Sequence, residues 1–481
     1  MKKISIILIF FVMLPFFIFA EGQDEDIVTP TAPIPKIKAV LDVVVKVHDD
    51  QAAWAAKYKK LTGIELEILQ PTHNKYEEKL KIMIAGGDIP DIFETMPTFA
   101  SLYAKEGAAV ALDGFIAANP NLASVPKRLL DSYRSQDGKL YFFPLQLGGG
   151  CVGYIRKDWL DKLGLSIPTT YDELVNVMEA FTKRDPDGDG QANTYGYSAT
   201  LMGDGIFQDM YNRNIMLDAK GNFFVKNGKW VDGFAQPEMK EALARWQKLY
   251  KAGIIDPEIF TNQTSDMREK FFQGRTGIVE YWVASWAFKM QRDTHAASGP
   301  NAVVKPFAPV KGAKYLDRLA RVFCISTKTK NPKAVFDNWI GLMWDQGPGQ
   351  ELFVYGVEGI HHKKLGGNKV EFLPSPANPK IRLSKIYVEE FYQINDGDIR
   401  SKQDAITDEA TRIWQKNSEP LSLEAGGDVY NRYIGEIHNL RLEIFSKVTK
   451  GDMSPDEGMR EYIRKSKNFQ VDQMIRELGG K

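Results

Sequence analysis

Short β-branched or alternating segments take turns with longer stretches of helical period along the first hundred residues. "AVLDVVVKV" (39–47) is almost wholly apolar and bounded by polar residues, which predicts a buried strand. The spacing after it predicts a helix over 50–62. "IELEILQ" (64–70) alternates apolar and polar, which predicts a second strand. A further helix over 74–85 stops at Gly86-Gly87, and "DIPDIFET" (88–95) predicts a third short strand. Strand–helix–strand–helix–strand is the order of an α/β fold with a largely parallel sheet.

Later helices carry their own punctuation. Thr170 and Glu173 form a capping box ahead of Leu174, Val177, Met178 and Phe181. Pro237 opens a helix whose apolar face is Met239, Ala242, Leu243, Trp246, Leu249 and Tyr250, closed by Gly253. Asn331-Pro332 starts another, and the last hundred residues are mostly helical in pattern. Between extended segments, "FFPLQLGGGCVGYIRKDWL" (142–160) holds three consecutive glycines, which suits a crossing between two lobes. Without a following Lys-Ser/Thr it does not fit a phosphate-cradling loop.

The length of 481 residues implies more than one core, since single cores stop growing near about 250–300 residues. Lys2 and Lys3, the apolar run Ile4–Ala20 and the polar "EGQDED" after it describe a secretory signal segment, residues 1–20. Residues 21–35 read as a disordered acidic and Pro-rich leader. No cysteine follows Ala20, so a lipid-bearing N-terminal Cys is not expected, and a free periplasmic protein is. Lys+Arg and Asp+Glu balance at 62 each, and no long basic run appears, which excludes nucleic acid as an expected partner. Cys151 and Cys324 carry no spacing signal, and their pairing stays open.

"RDPDGDGQANTYG" (184–196) is the most distinctive local pattern. Numbered from Asp185, it places Asp185, Asp187 and Asp189 at positions one, three and five of a calcium loop. Gly190 then stands at six, the Gln191 carbonyl at seven and Asn193 at nine. Position twelve is Gly196, so the bidentate Glu of a sensor EF-hand is missing, and "TYGYSAT" reads as a strand. The expectation is a structural calcium clip between a helix and a strand, at 185–194. Catalytic motifs are thin: there is no HExxH, no G-x-S-x-G and no zinc spacing, and His361 and His362 are adjacent. A glycosidase carboxylate pair has no motif to show it and stays open. "GRTGIVEYWVASWAF" (274–288) offers Tyr281, Trp282 and Trp286, whose ring faces suit sugar C–H surfaces or, equally, a core.

Several segments together are similar to one family. They are "YEEKLKIMIAGGDIPDIFE" (76–94), "YAKEGAAVALDGFIAANPNL" (103–122), "DGKLYFFPLQ" (137–146), "YIRKDWLDKLGLSIPTTYDEL" running into the acidic loop (154–198), "FFQGRTGI" (271–278) and "STKTKNPKAVFDNWIGLMW" (326–344). The chain resembles family 1 extracellular solute-binding proteins of bacterial ABC importers, in particular large members with an EF-hand-like calcium loop such as alginate-oligosaccharide-binding and lipoprotein-type binding proteins. The resemblance implies a type II periplasmic binding protein fold: two α/β lobes, a cleft between them and a helical C-terminal region. It implies a first lobe from 36–146 and 285–345 and a second from 147–284 and 346–481, with crossings near Gly148–Gly150 and Trp282–Phe288. It implies capture of a solute, here expected to be a carbohydrate or oligosaccharide, by a monomer that delivers it to membrane permease subunits without catalysis. Tyr281, Trp282 and Trp286 are the stacking candidates, and Arg156 either pairs with an acidic sugar or makes a structural salt bridge. Asp185, Asp187, Asp189, Gln191 and Asn193 are the implied calcium set.

Overall fold

The first lobe is organised by one mixed sheet of five strands, in the spatial order Glu65–Leu69, Lys36–Val40, Ile92–Thr95, Val322–Ile325, Phe143–Pro144. The structure is a computed structural model that describes residues 34–42, 45, 50–72, 75–125, 127–135, 137–145, 149–203, 206–366, 369–373, 400–401 and 405–479. The expected signal segment 1–20 and all of the leader 21–35 except residues 34 and 35 lie outside the described residues. The three N-terminal strands are parallel, as their order along the chain requires. Helix Gln51–Thr62 starts on the Asp50 side chain, which accepts from Ala53 N, and closes at Gly63 with φ 76°. Helix Tyr76–Ala85 follows the second strand. The first strand ends at Val40, earlier than the apolar run to residue 47 suggests. Beyond it the Asp42 amide donates to the Glu94 carboxylate at 2.8 Å and the Asp42 side chain pairs with Arg321 at 3.1 Å, which draws the backbone off the ladder. Residues 43–44 and 46–47 of that run lie outside the described residues.

A second sheet, in the order Val304–Phe307, Cys151–Arg156, Thr276–Trp282, Tyr195–Tyr197, organises the other lobe. The predicted capping box is present at Thr170 and Glu173, and Leu174, Val177, Met178 and Phe181 of helix Tyr171–Lys183 are buried. Helix Pro237–Lys251 packs the predicted face inward, with Trp246 fully buried and Tyr250 at the margin. The long helix Asp428–Lys450 and helix Pro455–Ser466 close over this core.

The lobe boundaries differ from the expected map. Helix Ser285–Ser298 and strand Val304–Phe307 stay with the second lobe, because Val304–Phe307 pairs along Cys151–Arg156. The chain returns to the first sheet only at Val322, not near 282–288. Helix Pro348–Tyr355, expected in the second lobe, belongs to the first: its Leu352 carbonyl accepts from Trp54 Nε1 at 2.9 Å, and Phe353 packs on Trp54 and Trp339. Cys151 and Cys324 are buried free thiols in different sheets.

Candidate functional site

Sheet topology locates a crevice. Strand Lys36–Val40 has the second strand on one side and the third on the other, so the chain reverses its direction of travel across the sheet there. Ligands of open α/β sheets lie outside the carboxyl ends of the strands at such a switch point. Asp42 and Glu94 stand at those ends, with Glu77 from the first turn of helix Tyr76–Ala85. Arg321 reaches all three, at 3.1 Å to Asp42, 2.6 Å to Glu94 and 3.0 Å to Glu77. Thr95 Oγ1 donates to Glu77 at 2.8 Å. Burial pushes the Glu77 carboxyl up, against the pull of Arg321. These residues have no motif spacing, and nothing in the sequence brings them together: Asp42 falls inside a predicted strand and Glu77 inside a predicted helix.

Two antiparallel segments join the lobes beside this crevice. Leu145 N donates to Arg321 O at 2.8 Å, Arg318 N to Gly149 O at 2.9 Å and Gly149 N to Asp317 Oδ1 at 3.2 Å. A side chain at Gly150 would run into Leu316 O and the Trp414 indole, so glycine is required there by space. Trp282 joins the same ribbon through its neighbour, since Val283 N donates to Gly150 O at 3.0 Å. Its Nε1 donates to Tyr211 Oη at 3.2 Å, and the Arg318 guanidinium lies 4.7 Å over its ring. Trp282 is half-buried at the crossing, with polar partners that hold its ring in place.

The other three expected ligand groups sit elsewhere. Adjacent strand residues face opposite sides, and Tyr281 goes into the core, 4% exposed. It stacks on Tyr211 at 5.9 Å, meets Trp286 edge-on at 5.0 Å and bonds Arg268 through its hydroxyl. Trp286 is half-buried with Arg268 at 4.7 Å and Lys289 at 4.3 Å from its ring, so cations cover it. Arg156 is buried and forks onto Asp158 at 2.9 and 2.6 Å while lying 4.7 Å over Trp159. It ends the strand that begins at the crossing with Cys151, about 16 Å away along the strand. There it makes a salt bridge with Asp158.

A separate cavity of about 480 Å³ also lies between the lobes, with Lys105 and Tyr141 on one side and Asp428 and Glu477 on the other. Tyr141 precedes strand Phe143–Pro144, which runs parallel to the N-terminal strands through its shared partner. This cavity therefore faces the amino ends of those strands, away from the crevice.

The acidic loop folds as its glycines predict. Gly188 and Gly190 have φ of 83° and 78°, and Asp185 itself takes φ 45°. Asp185 accepts from Gly188 N at 2.9 Å and Gly190 N at 3.1 Å; Asp189 accepts from Gln191 N at 2.8 Å and Asn193 Nδ2 at 2.7 Å. One oxygen from each of Asp185, Asp187 and Asp189 lies within 4.8 Å of the other two. Partial burial, a hydrogen bond shared with Asp185 and the charge of Asp189 push the Asp187 carboxyl up. Crowded carboxylates of this kind fit a hard divalent cation, with Asp185, Asp187, Asp189 and Asn193 side chains and the Gln191 carbonyl as the oxygen donors. The absent glutamate has a packing reason. A side chain at Gly196 would collide with Met178 of the preceding helix, where the strand Tyr195–Tyr197 lies against it.

The two-sheet architecture with its crossing ribbon is that of a type II solute-binding protein. It matches an HMO-binding, ABC-transporter-associated solute-binding protein from Bifidobacterium longum infantis with TM-score 0.71 at 17% identity, covering 93% of this chain and 98% of that one. It matches the alginate-binding protein AlgQ2 without calcium ion with TM-score 0.67 at 20% identity, covering 93% and 97%. The bacterial extracellular solute-binding protein profile matches residues 48–339, and the chain belongs to that family. Among curated relatives, it is 25% identical to the polygalacturonan/rhamnogalacturonan-binding protein YtcQ of Bacillus subtilis over 75% of this chain and 74% of that one. It is 28% identical to lipoprotein LipO of Bacillus subtilis over 48% and 46%. It is 30% identical to the fructooligosaccharide transporter protein FusA of Streptococcus pneumoniae over 47% and 45%. The chain thus spans about half the length of LipO and FusA.

Proposed function

We propose that this protein is the solute-capturing component of an ABC importer. It takes a carbohydrate, an oligosaccharide in particular, into the crevice between its lobes outside the cytoplasmic membrane and hands it to the permease. The observation that carries the reading is the family match over residues 48–339. The crossing ribbon, Trp282 and the Arg321 cluster beside it support it, as do the saccharides in the names of YtcQ and FusA. Trp282 supplies an indole at the crossing, and Asp42, Glu77, Glu94 and Arg321 shape the first-lobe wall. Contacts completed only when both lobes meet the solute shift the population toward a closed form. The protein performs no chemistry on the solute.

Thermal shifts with a panel of neutral and acidic oligosaccharides, followed by mass spectrometry of the recovered sugar, test this. A shift with intact sugar is expected. Shortened products would establish a hydrolase, and no shift with any saccharide would remove the carbohydrate reading.

Calcium has a structural role in this proposal, holding the 185–194 loop between helix Tyr171–Lys183 and the second sheet. Calcium is expected to raise the melting temperature and Asp187→Ala to abolish the gain. Identical melting curves with calcium and with chelator would sink that role.

A further inference from the structure

The acidic loop already touches a cation that belongs to the chain. Helix Lys157–Leu163 lies beside it, and exposed Lys162 donates from Nζ to the backbone carbonyls of Asp185 at 3.2 Å and Pro186 at 3.1 Å. Neither carbonyl is among the expected calcium donors, so the lysine and the ion use different atoms of one loop. A second observation points the same way. A Cβ on Gly188 would stand 2.6 Å from the Lys162 ammonium. Gly188 is loop position four, which supplies no ligand and is not the sharp-turn glycine of a calcium loop. Its φ of 83° favours glycine, and the lysine fills the space a side chain would take.

We propose that Lys162 is a built-in counter-charge that sets the calcium affinity of the loop. Three aspartates within a few residues repel one another when no divalent ion lies between them. The Lys162 ammonium offsets part of that charge and ties the first turn of the loop to helix Lys157–Leu163. The same ammonium repels an incoming divalent ion. Bracing and repulsion act on affinity with opposite signs, and their sizes decide between them. Two hydrogen bonds from an exposed, flexible lysine contribute little. The repulsion carries the doubled charge of the ion and is the larger effect. Lys162 therefore weakens calcium binding while stabilising the metal-free loop, which suits a clip that exchanges its ion with the surroundings. The inference rests on the calcium role proposed above.

Calorimetric titration of calcium into the full chain, its Lys162→Met variant and its Lys162→Arg variant tests this, with melting curves of each in chelator. Lys162→Met is expected to bind calcium about tenfold tighter and to melt lower than the parent in chelator. Lys162→Arg keeps the charge and is expected to keep the parent affinity. The advantage of the Met variant is expected to shrink as salt rises. Equal or weaker binding by Lys162→Met, with the parent binding calcium, overturns the role of Lys162 and leaves the calcium clip standing. No calcium binding by any of the three chains overturns both.

Discussion

Trp282 and Tyr281 are neighbours in sequence and both touch Tyr211, but Tyr281 stacks under it in the core while Trp282 stays half-buried at the crossing. Trp282 lies at the crossing, so Trp282→Ala is expected to weaken saccharide binding about tenfold, measured by calorimetry. Arg156→Ala is expected to leave that affinity unchanged and to lower unfolding stability by about 2 kcal/mol, since half-buried Asp158 loses a charge-assisted partner. Urea denaturation and the same calorimetry separate the two effects. At this scale the sequence showed which aromatics were grouped but not which way each pointed. Strand register decides that, and register is set by pairing with Cys151–Arg156, more than a hundred residues away. The shape of the acidic loop was readable because its hydrogen bonds are local: the glycines and aspartates that make them all fall within one short stretch of chain. Asp42, Glu77, Glu94 and Arg321 were invisible for the opposite reason. Arg321 and Asp42 meet only once the fold exists.

At the scale of elements, helices with caps were legible, as helix Tyr171–Lys183 shows with its box and buried face. Strand ends were less so, because Asp42 stops a run that apolar content alone would continue. Helix Asp428–Lys450 carries the clearest pH response. His438 on its inner face is 5% exposed, accepts from Phe207 N at 3.3 Å and lies 3.4 Å from Arg441. Burial, reinforced by Arg441, pushes its pKa down to about 3. The imidazole is thus neutral in the fold and charged in the unfolded chain below about pH 6.5. The stability that depends on the neutral ring is present above that pH and lost progressively as the pH falls toward 3. A His438→Gln variant is expected to show a shallower loss of melting temperature between pH 6.5 and 4 than the parent. Parallel curves over that range would refute the assignment.

For the molecule as a whole, residues 145 and 149–150 form a narrow ribbon with 317–322 between the two lobes, which touch elsewhere through contacts such as Lys105–Asp428, an exposed pair at 3.3 Å. Exposed pairs contribute little, so the angle between lobes is set chiefly by the ribbon and by whatever fills the crevice. A bound oligosaccharide is expected to lower the radius of gyration in small-angle scattering, and Gly150→Val, which crowds Leu316 and Trp414, to blunt the change. An unchanged radius at saturating sugar would argue against closure.

The first sheet has a further consequence, one that concerns time. Its strand Val322–Ile325 lies between Ile92–Thr95 and Phe143–Pro144, pairing with both. A chain made from its N-terminus therefore waits for all four strands of the second sheet to be synthesised before the first sheet can close. Until then Ile92–Thr95 and Phe143–Pro144 present unpaired edges, and the second lobe still lacks helices Asp428–Lys450 and Pro455–Ser466, which close its core. Such long-range closure slows folding and lengthens exposure to aggregation. The insertion that gives the molecule its two-part architecture thus also fixes the order in which its parts can be completed.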